Sequence, residues 1–251
     1  MPGLVGALRR LAGRSFAGRR QHVLVTGSPR SGTSAMLEWL STQPDVTAFF
    51  ESRALLVGDG ALARVERFQV TSQRLDEHLA GIRTLLHEML GARTILTRGT
   101  VVHKEPLEPV AFPSADYDGF VRRCRIILPG LRILFMVRDP VATVWSMRQR
   151  TWGVSLASGI PQEWPLATCV EVWKENARLA KRLALDEEVR LCRFETLIAD
   201  PEGESREIAR HIGIRLTHPF APRPTKEVGF SAEEVDQVVR ATREERSWFG
   251  Y

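Results

Sequence analysis

Residues 22–40 read HVLVTGSPRSGTSAMLEWL, and this stretch decides the fold. Five residues, His22–Thr26, four of them apolar or β-branched, form a strand short enough to lie buried within a sheet. Gly27 and Gly32 then permit a tight backbone turn, and the segment from Ser34 to Thr42 has the composition of a helix. A loop that runs from a strand into a helix N-terminus presents free N–H groups and a positive dipole end, which together attract an anion. Arg30 adds a fork of donors, and the hydroxyls of Ser31, Thr33 and Ser34 can complete the oxygen shell. The spacing Gly27-x4-Gly32 mimics the Walker A loop, but Thr33 stands where its lysine belongs, which argues against ordinary ATP or GTP hydrolysis. On its own the stretch also reads as a Ser/Gly turn opening a helix.

Working outward, three further strands are expected at Thr100–His103, Arg132–Val137 and Val189–Arg193. Helical patterns cover much of Ala61–Leu90, and Val141–Arg150, Leu166–Leu185, Glu202–Ile212 and Ala232–Arg246. Strands alternating with helices predict a three-layer α/β/α sandwich with a central parallel sheet, of P-loop type. Ligands of such sheets bind beyond the carboxyl ends of the strands, so the loops that follow strands hold the chemistry.

A second such loop follows the strand Arg132–Val137. It reads Arg138-Asp139-Pro140 and leads into a helix that carries Ser146. Asp139 suits an N-cap and Pro140 the first helical position. Arg138 therefore sits at a strand end, and Ser146 lies about two helical turns on. A guanidinium and a hydroxyl so placed can hold a phosphate monoester. By itself the pattern equally suits an Arg–Asp surface pair capping a helix.

Together, PRSGTS after the first strand and VRDPxxxxxS after the later one resemble the two nucleotide-binding signatures of the PAPS-dependent sulfotransferases, where PAPS is 3'-phosphoadenosine-5'-phosphosulfate. The resemblance runs from His22 to Ile214, and Arg193–Pro201 (RFETLIADP) is similar to a third family segment. It implies that Arg30, Ser31, Gly32, Thr33 and Ser34 hold the 5'-phosphosulfate, and that Arg138 and Ser146 hold the 3'-phosphate. The product would be PAP and a sulfate ester.

For the chemistry, Phe50-Glu51-Ser52-Arg53 resembles the context of a glutamate in tyrosylprotein and some carbohydrate sulfotransferases. Glu51 is accordingly the expected general base, with Arg53 beside it to orient it or the donor; a surface Glu–Arg pair is the plainer reading. Val101–Pro106 (VVHKEP) resembles the family's Lys-x-Pro segment, which implies that Lys104 supports the departing 5'-phosphate. Catalytic roles thus fall to Glu51, Lys104 and Arg30. The cytosolic aryl and steroid enzymes use a histidine two residues past this lysine, where Pro106 stands here. His103 is expected to point to the opposite face of its strand, and His103 and Glu105 stay in reserve as bases. Trp173 and Asn176 read as core residues of an apolar helix. No metal is expected, since Asp139 fits capping better than Mg²⁺ binding.

Bulk properties bound the alternatives. Hydrophobic residues make up 43% and charged residues 26%, which suits a globular core and excludes a disordered chain. The net charge of +5 is too small and scattered for a nucleic-acid surface, yet compatible with an anionic ligand. Cys124, Cys169 and Cys192 lack metal or redox spacing and read as buried free thiols in a reducing, cytoplasmic setting. No segment approaches the roughly 20 apolar residues of a membrane helix. Residues 1–20 (MPGLVGALRRLAGRSFAGRR) are expected to form a flexible basic arm, with a weak surface-binding helix as the alternative, and residues 21–251 the sulfotransferase domain. The expected partners are the nucleotide donor and a small-molecule, glycan or peptide acceptor bearing a hydroxyl. Two other classes compete: a P-loop kinase or NTPase, and a non-catalytic nucleotide-binding protein.

Overall fold

Strand β1 (His22–Gly27) is buried along its whole length, because its apolar side chains meet helices on both faces of a sheet. It pairs in parallel with β3 (Thr100–Lys104) on one side and β4 (Arg132–Val137) on the other. β2 (Val46–Phe50) flanks β3, and β5 (Val189–Arg193) flanks β4, giving the order β2-β3-β1-β4-β5 with every pair parallel. This computed structural model describes residues 20–68, 72–90, 99–108, 116–152, 163–222 and 227–251. Most of the basic arm, residues 1–19, lies outside the described residues. So do residues 91–98 and 153–162.

The period-two alternation of the strands sorts the core into two layers. Val23, Val25, Leu134 and Met136 face helices α1 (Thr33–Ser41) and α8 (Pro201–Ile212), meeting Met36, Leu40, Ile208 and Ile212. Leu24, Ile133 and Phe135 belong to the opposite core layer. There they join side chains of α2 (Ala54–Arg67), α3 (Ser72–Leu90), α4 (Tyr117–Ile127), α5 (Pro140–Arg148) and α6 (Leu166–Leu183). Each such fully buried aliphatic side chain contributes about 1.5–3 kcal/mol. The expected α/β/α sandwich with a parallel sheet is the architecture observed.

Several elements depart from the sequence expectation. β2 is a fifth strand, an edge strand that the sequence reading left as loop. Val46–Phe50 (VTAFF) is a five-residue run without alternation, a pattern that periodicity cannot assign, although its β-branched and aromatic content favours a strand. The helical stretch expected over much of Ala61–Leu90 is resolved as two helices: α2 starts earlier, at Ala54, and ends at Arg67 with Phe68 as its C-cap, and α3 begins at Ser72. α4 was not expected, although Asp116 caps it through Gly119 N, and Tyr117, Phe120, Val121, Cys124 and Ile127 form its buried stripe. The last helical span divides at Thr242 into α9 (Ala232–Ala241) and α10 (Arg243–Ser247), since Thr242 leaves helical geometry at φ −107°. Between these regions, Phe194–Ala199 forms the short helix α7 directly after β5.

The three cysteines are free and buried, and burial pushes Cys169 up to about 11 and Cys192 to about 12. They are therefore inert thiols that pack as small hydrophobes. Among the described residues no helix is long and apolar enough to cross a membrane.

Candidate active site

Every strand of the sheet delivers a side chain to one cleft at its carboxyl edge. The loop Gly27–Gly32 follows β1, Glu51 follows β2, Lys104 ends β3, Arg138 follows β4 and Phe194 follows β5. Arg30, Glu51, Lys104, Arg138 and Phe194 all line a cavity of about 260 Å³, together with Gly32, Thr33, Ser34 and Ser146.

The first loop is shaped for an anion by its backbone. Gly27 has φ 131°, and a Cβ there would fall 2.3 Å from the Met136 carbonyl oxygen, so only glycine fits against β4. Gly32, at φ 102°, is the N-cap of α1, and no side chain caps that helix. By contrast, Asp116, Asp139 and Asp200 cap α4, α5 and α8. An uncapped helix N-terminus beside a cleft leaves donors and a positive dipole end for a ligand. Thr33 and Ser34 line the cleft, whereas the fully buried Ser31 donates its hydroxyl to Ser28 O at 2.7 Å. Ser31 therefore fixes the shape of the turn.

The second loop meets the first. Arg30 Nε donates to Ser146 Oγ at 3.0 Å, and Arg138 Nη1 donates to Arg30 O at 3.3 Å. Arg138 lies over the Phe194 ring at 4.8 Å. Burial, then repulsion from Arg150 and Arg138, lower the Arg30 guanidinium below its usual range. Positive charge thus converges on one wall, where an anionic ligand would relieve it.

On the opposite wall, Lys104 Nζ donates to Glu51 Oε1 and lies 4.0 Å from the Phe50 ring centroid. Lys104 is almost wholly buried, and the Glu51 side chain keeps about a fifth of its surface open. Glu51 and Arg53 both adopt left-handed backbone, at φ 43° and 58°. This costly geometry is held by Glu51 N donating to Lys104 O at 3.2 Å and Arg53 N donating to Glu105 Oε1 at 3.0 Å. Burial pushes the Glu105 carboxyl up to about 7, partly offset by Arg53. His103 lies on the far side of its strand from Lys104. It is buried between His22 and Phe49, its Nε2 3.2 Å from His22 Nδ1, and burial pushes it down to about 3. The cleft is thus lined by Glu51 and Lys104, with Glu105 and His103 behind them.

A sulfotransferase family model matches residues 22–218. The chain belongs to the sulfotransferase family. Solved structures similar to this sulfotransferase include a sulfotransferase from Alicyclobacillus acidocaldarius (18% identity, 92% of this chain and 94% of that chain, TM-score 0.56). Another is the sulfotransferase domain of the Synechococcus PCC 7002 olefin synthase (15% identity, 94% and 97% covered, TM-score 0.58). A third is sulfotransferase STF9 from Mycobacterium avium (13% identity, 96% and 82% covered, TM-score 0.55). No curated protein sequence matches the chain. Membership sets aside the kinase or NTPase reading, in keeping with Thr33 at the Walker lysine position.

Beyond the residues expected from sequence, this sulfotransferase carries a second cavity of about 430 Å³ that shares Arg30, Arg138, Ser146 and Phe194 with the first. Its far end is walled by Trp39, Trp145 and Phe220. Sequence reasoning missed these aromatics because tryptophans on helices read as core and Phe220 lies in a loop with no motif of its own. Trp39 and Phe220 are in fact also buried, edge to face at 6.2 Å. Arg150, just past α5, lines the first cavity and was also missed; an arginine past a helix end carries no signal of its own. Asn176 is a core residue, donating to Leu107 O and Val172 O. Trp173 is buried too, but its indole N–H reaches Arg138 O at 3.0 Å.

Proposed function

We propose that this sulfotransferase binds PAPS across both cavities and passes its sulfuryl group to an acceptor hydroxyl, with Glu51 as general base. The observation that carries this reading is the meeting of Arg30, Ser146 and Arg138 on one wall, opposite the Lys104–Glu51 pair. The α1 N-terminus, Arg30, Thr33 and Ser34 would take the 5'-phosphosulfate. Arg138 and Ser146 would take the 3'-phosphate, and the aromatic end of the larger cavity suits an adenine.

In the reaction the acceptor oxygen attacks sulfur, the bond from sulfur to the 5'-phosphate oxygen breaks, and the acceptor proton passes to Glu51. PAP leaves with its new charge on the phosphate. Lys104 sits against Glu51 in the same cavity and supplies a compact positive charge for the bridging oxygen. The α1 dipole and Arg30 stabilise the same developing charge without reorganisation.

The acceptor is a hydroxyl compound, whether small molecule, glycan or peptide, and incorporation of ³⁵S from labelled donor into candidate extracts identifies it. The buried free thiols support a reducing, cytoplasmic setting. Replacing Glu51 with Gln tests the mechanism. PAP affinity should stay within a few fold while turnover falls by roughly 10²–10⁴-fold; unchanged turnover removes Glu51 from the role.

A further inference from the structure

The peptide group that joins Arg138 to Asp139 is held at both of its polar atoms. Its carbonyl oxygen accepts from Trp173 Nε1 at 3.0 Å, and its N–H donates to Glu195 Oε1 at 2.9 Å. The other oxygen of Glu195 accepts from the Tyr251 hydroxyl at 2.7 Å. Tyr251 is itself fixed: its ring carries the Arg193 guanidinium at 4.7 Å, and its N–H donates to Arg246 O at 3.2 Å. Directly before Glu195, Phe194 lies under the Arg138 guanidinium. The residues entering α7 therefore grip Arg138 twice, once beneath its side chain and once through its backbone.

We infer that Glu195 and Tyr251 are positioning residues for the donor's 3'-phosphate, acting through the Arg138–Asp139 peptide although both are distant from it in sequence. The inference rests on the proposed role of Arg138. A guanidinium recognises phosphate by a fork of fixed geometry, so a small tilt of the residue's backbone misdirects both donors. Tyr251 orients Glu195, Glu195 fixes the peptide plane, and Trp173 closes the grip from α6. None of these three side chains lines either cavity, so their effect on the nucleotide is through Arg138 alone. Among the described residues no hydrogen bond or ion pair joins the loop Gly27–Gly32 to the side chains of Tyr251 or Glu195, so the expected effect is selective for one end of the ligand.

The test compares PAP with 5'-AMP, which lacks the 3'-phosphate, by calorimetric titration of the full chain. Tyr251→Phe removes one hydroxyl and keeps the ring over Arg193. It should weaken PAP about 3- to 10-fold and leave 5'-AMP unchanged. Glu195→Ala loses both contacts and should weaken PAP by about 10- to 100-fold. Glu195→Gln, which keeps an acceptor for Asp139 N, should recover most of that loss. With PAPS as substrate, KM should rise in Tyr251→Phe while kcat holds. Equal losses for PAP and 5'-AMP, or no loss for PAP in either Tyr251→Phe or Glu195→Ala, would overturn the inference. A wild-type chain that binds PAP no better than 5'-AMP would overturn the donor-site reading beneath it.

Discussion

Gly32 and Phe194 touch so closely that a Cβ on Gly32 would fall 2.5 Å from the Phe194 ring. The ring is therefore wedged between the loops that follow β1 and β4: it packs on the α1 N-cap and lies under Arg138. Loop spacing across the cleft depends on that wedge. It also explains why the turn into α1 needs a glycine twice over, for φ 102° and for room.

Gly32→Ala should accordingly destabilise the fold by about 1–3 kcal/mol, through left-handed strain and displacement of Phe194. It should also weaken PAP binding, because both loops shift. Urea unfolding and PAP titration check this. A variant with wild-type stability would mean that Phe194 moves freely.

Lys104→Met keeps the length and packing of the stem while removing the charge. With the Lys104 ammonium gone and only Arg30 and the α1 dipole left to stabilise the leaving oxygen, turnover should fall by about 10²–10³-fold, with a smaller loss of PAP affinity. Single-turnover measurement of sulfuryl transfer reads the chemical step directly. A loss confined to KM would assign Lys104 to binding only.

The fold class was legible because the buried strands β1, β3 and β4 are short, mostly apolar runs and the loops after β1 and β4 carry Arg, Gly and Pro at positions with few structural alternatives. β2 was not legible. It is an edge strand with four half-buried residues, an exposed Phe50 and no sustained alternation, so its existence is decided by pairing with β3. Glu51 was named from its local context, but its backbone strain and its ion pair with Lys104 arise only when the two strands lie side by side. Phe194 shows the same limit: its motif was visible, while its place between two loops is a fact of tertiary packing.

Stability near neutral pH should depend on Glu105. Its carboxyl is pushed up to about 7 in the fold against an ordinary 4.5, chiefly by burial. Between those values the folded state binds more protons than the unfolded one, so this group's contribution falls as pH rises from 4.5 to 7. Arg53, Glu51 and Lys104 face it and set where the change occurs. Glu105→Gln should gain stability relative to wild type at pH 8 compared with pH 4.5. A difference independent of pH would show that Glu105 does not titrate in this window.

His22 and His103 act in the opposite sense. Burial holds them at about 4 and about 3, below the ordinary 6.5, so the folded state binds fewer protons than the unfolded one. Their contribution is full above pH 6.5 and is lost as pH falls toward 4. Replacing His103 with Gln should flatten the acid limb of a stability–pH curve by up to one proton's slope. An unchanged limb would place the acid sensitivity elsewhere.

The most direct test of the account is the thermal shift of the wild-type chain with PAP, 5'-AMP and Mg-ATP at equal concentration. Two loops gripping the two phosphate ends of one nucleotide predict a PAP shift well above the other two. An equal or larger shift with Mg-ATP, or none with PAP, would contradict it.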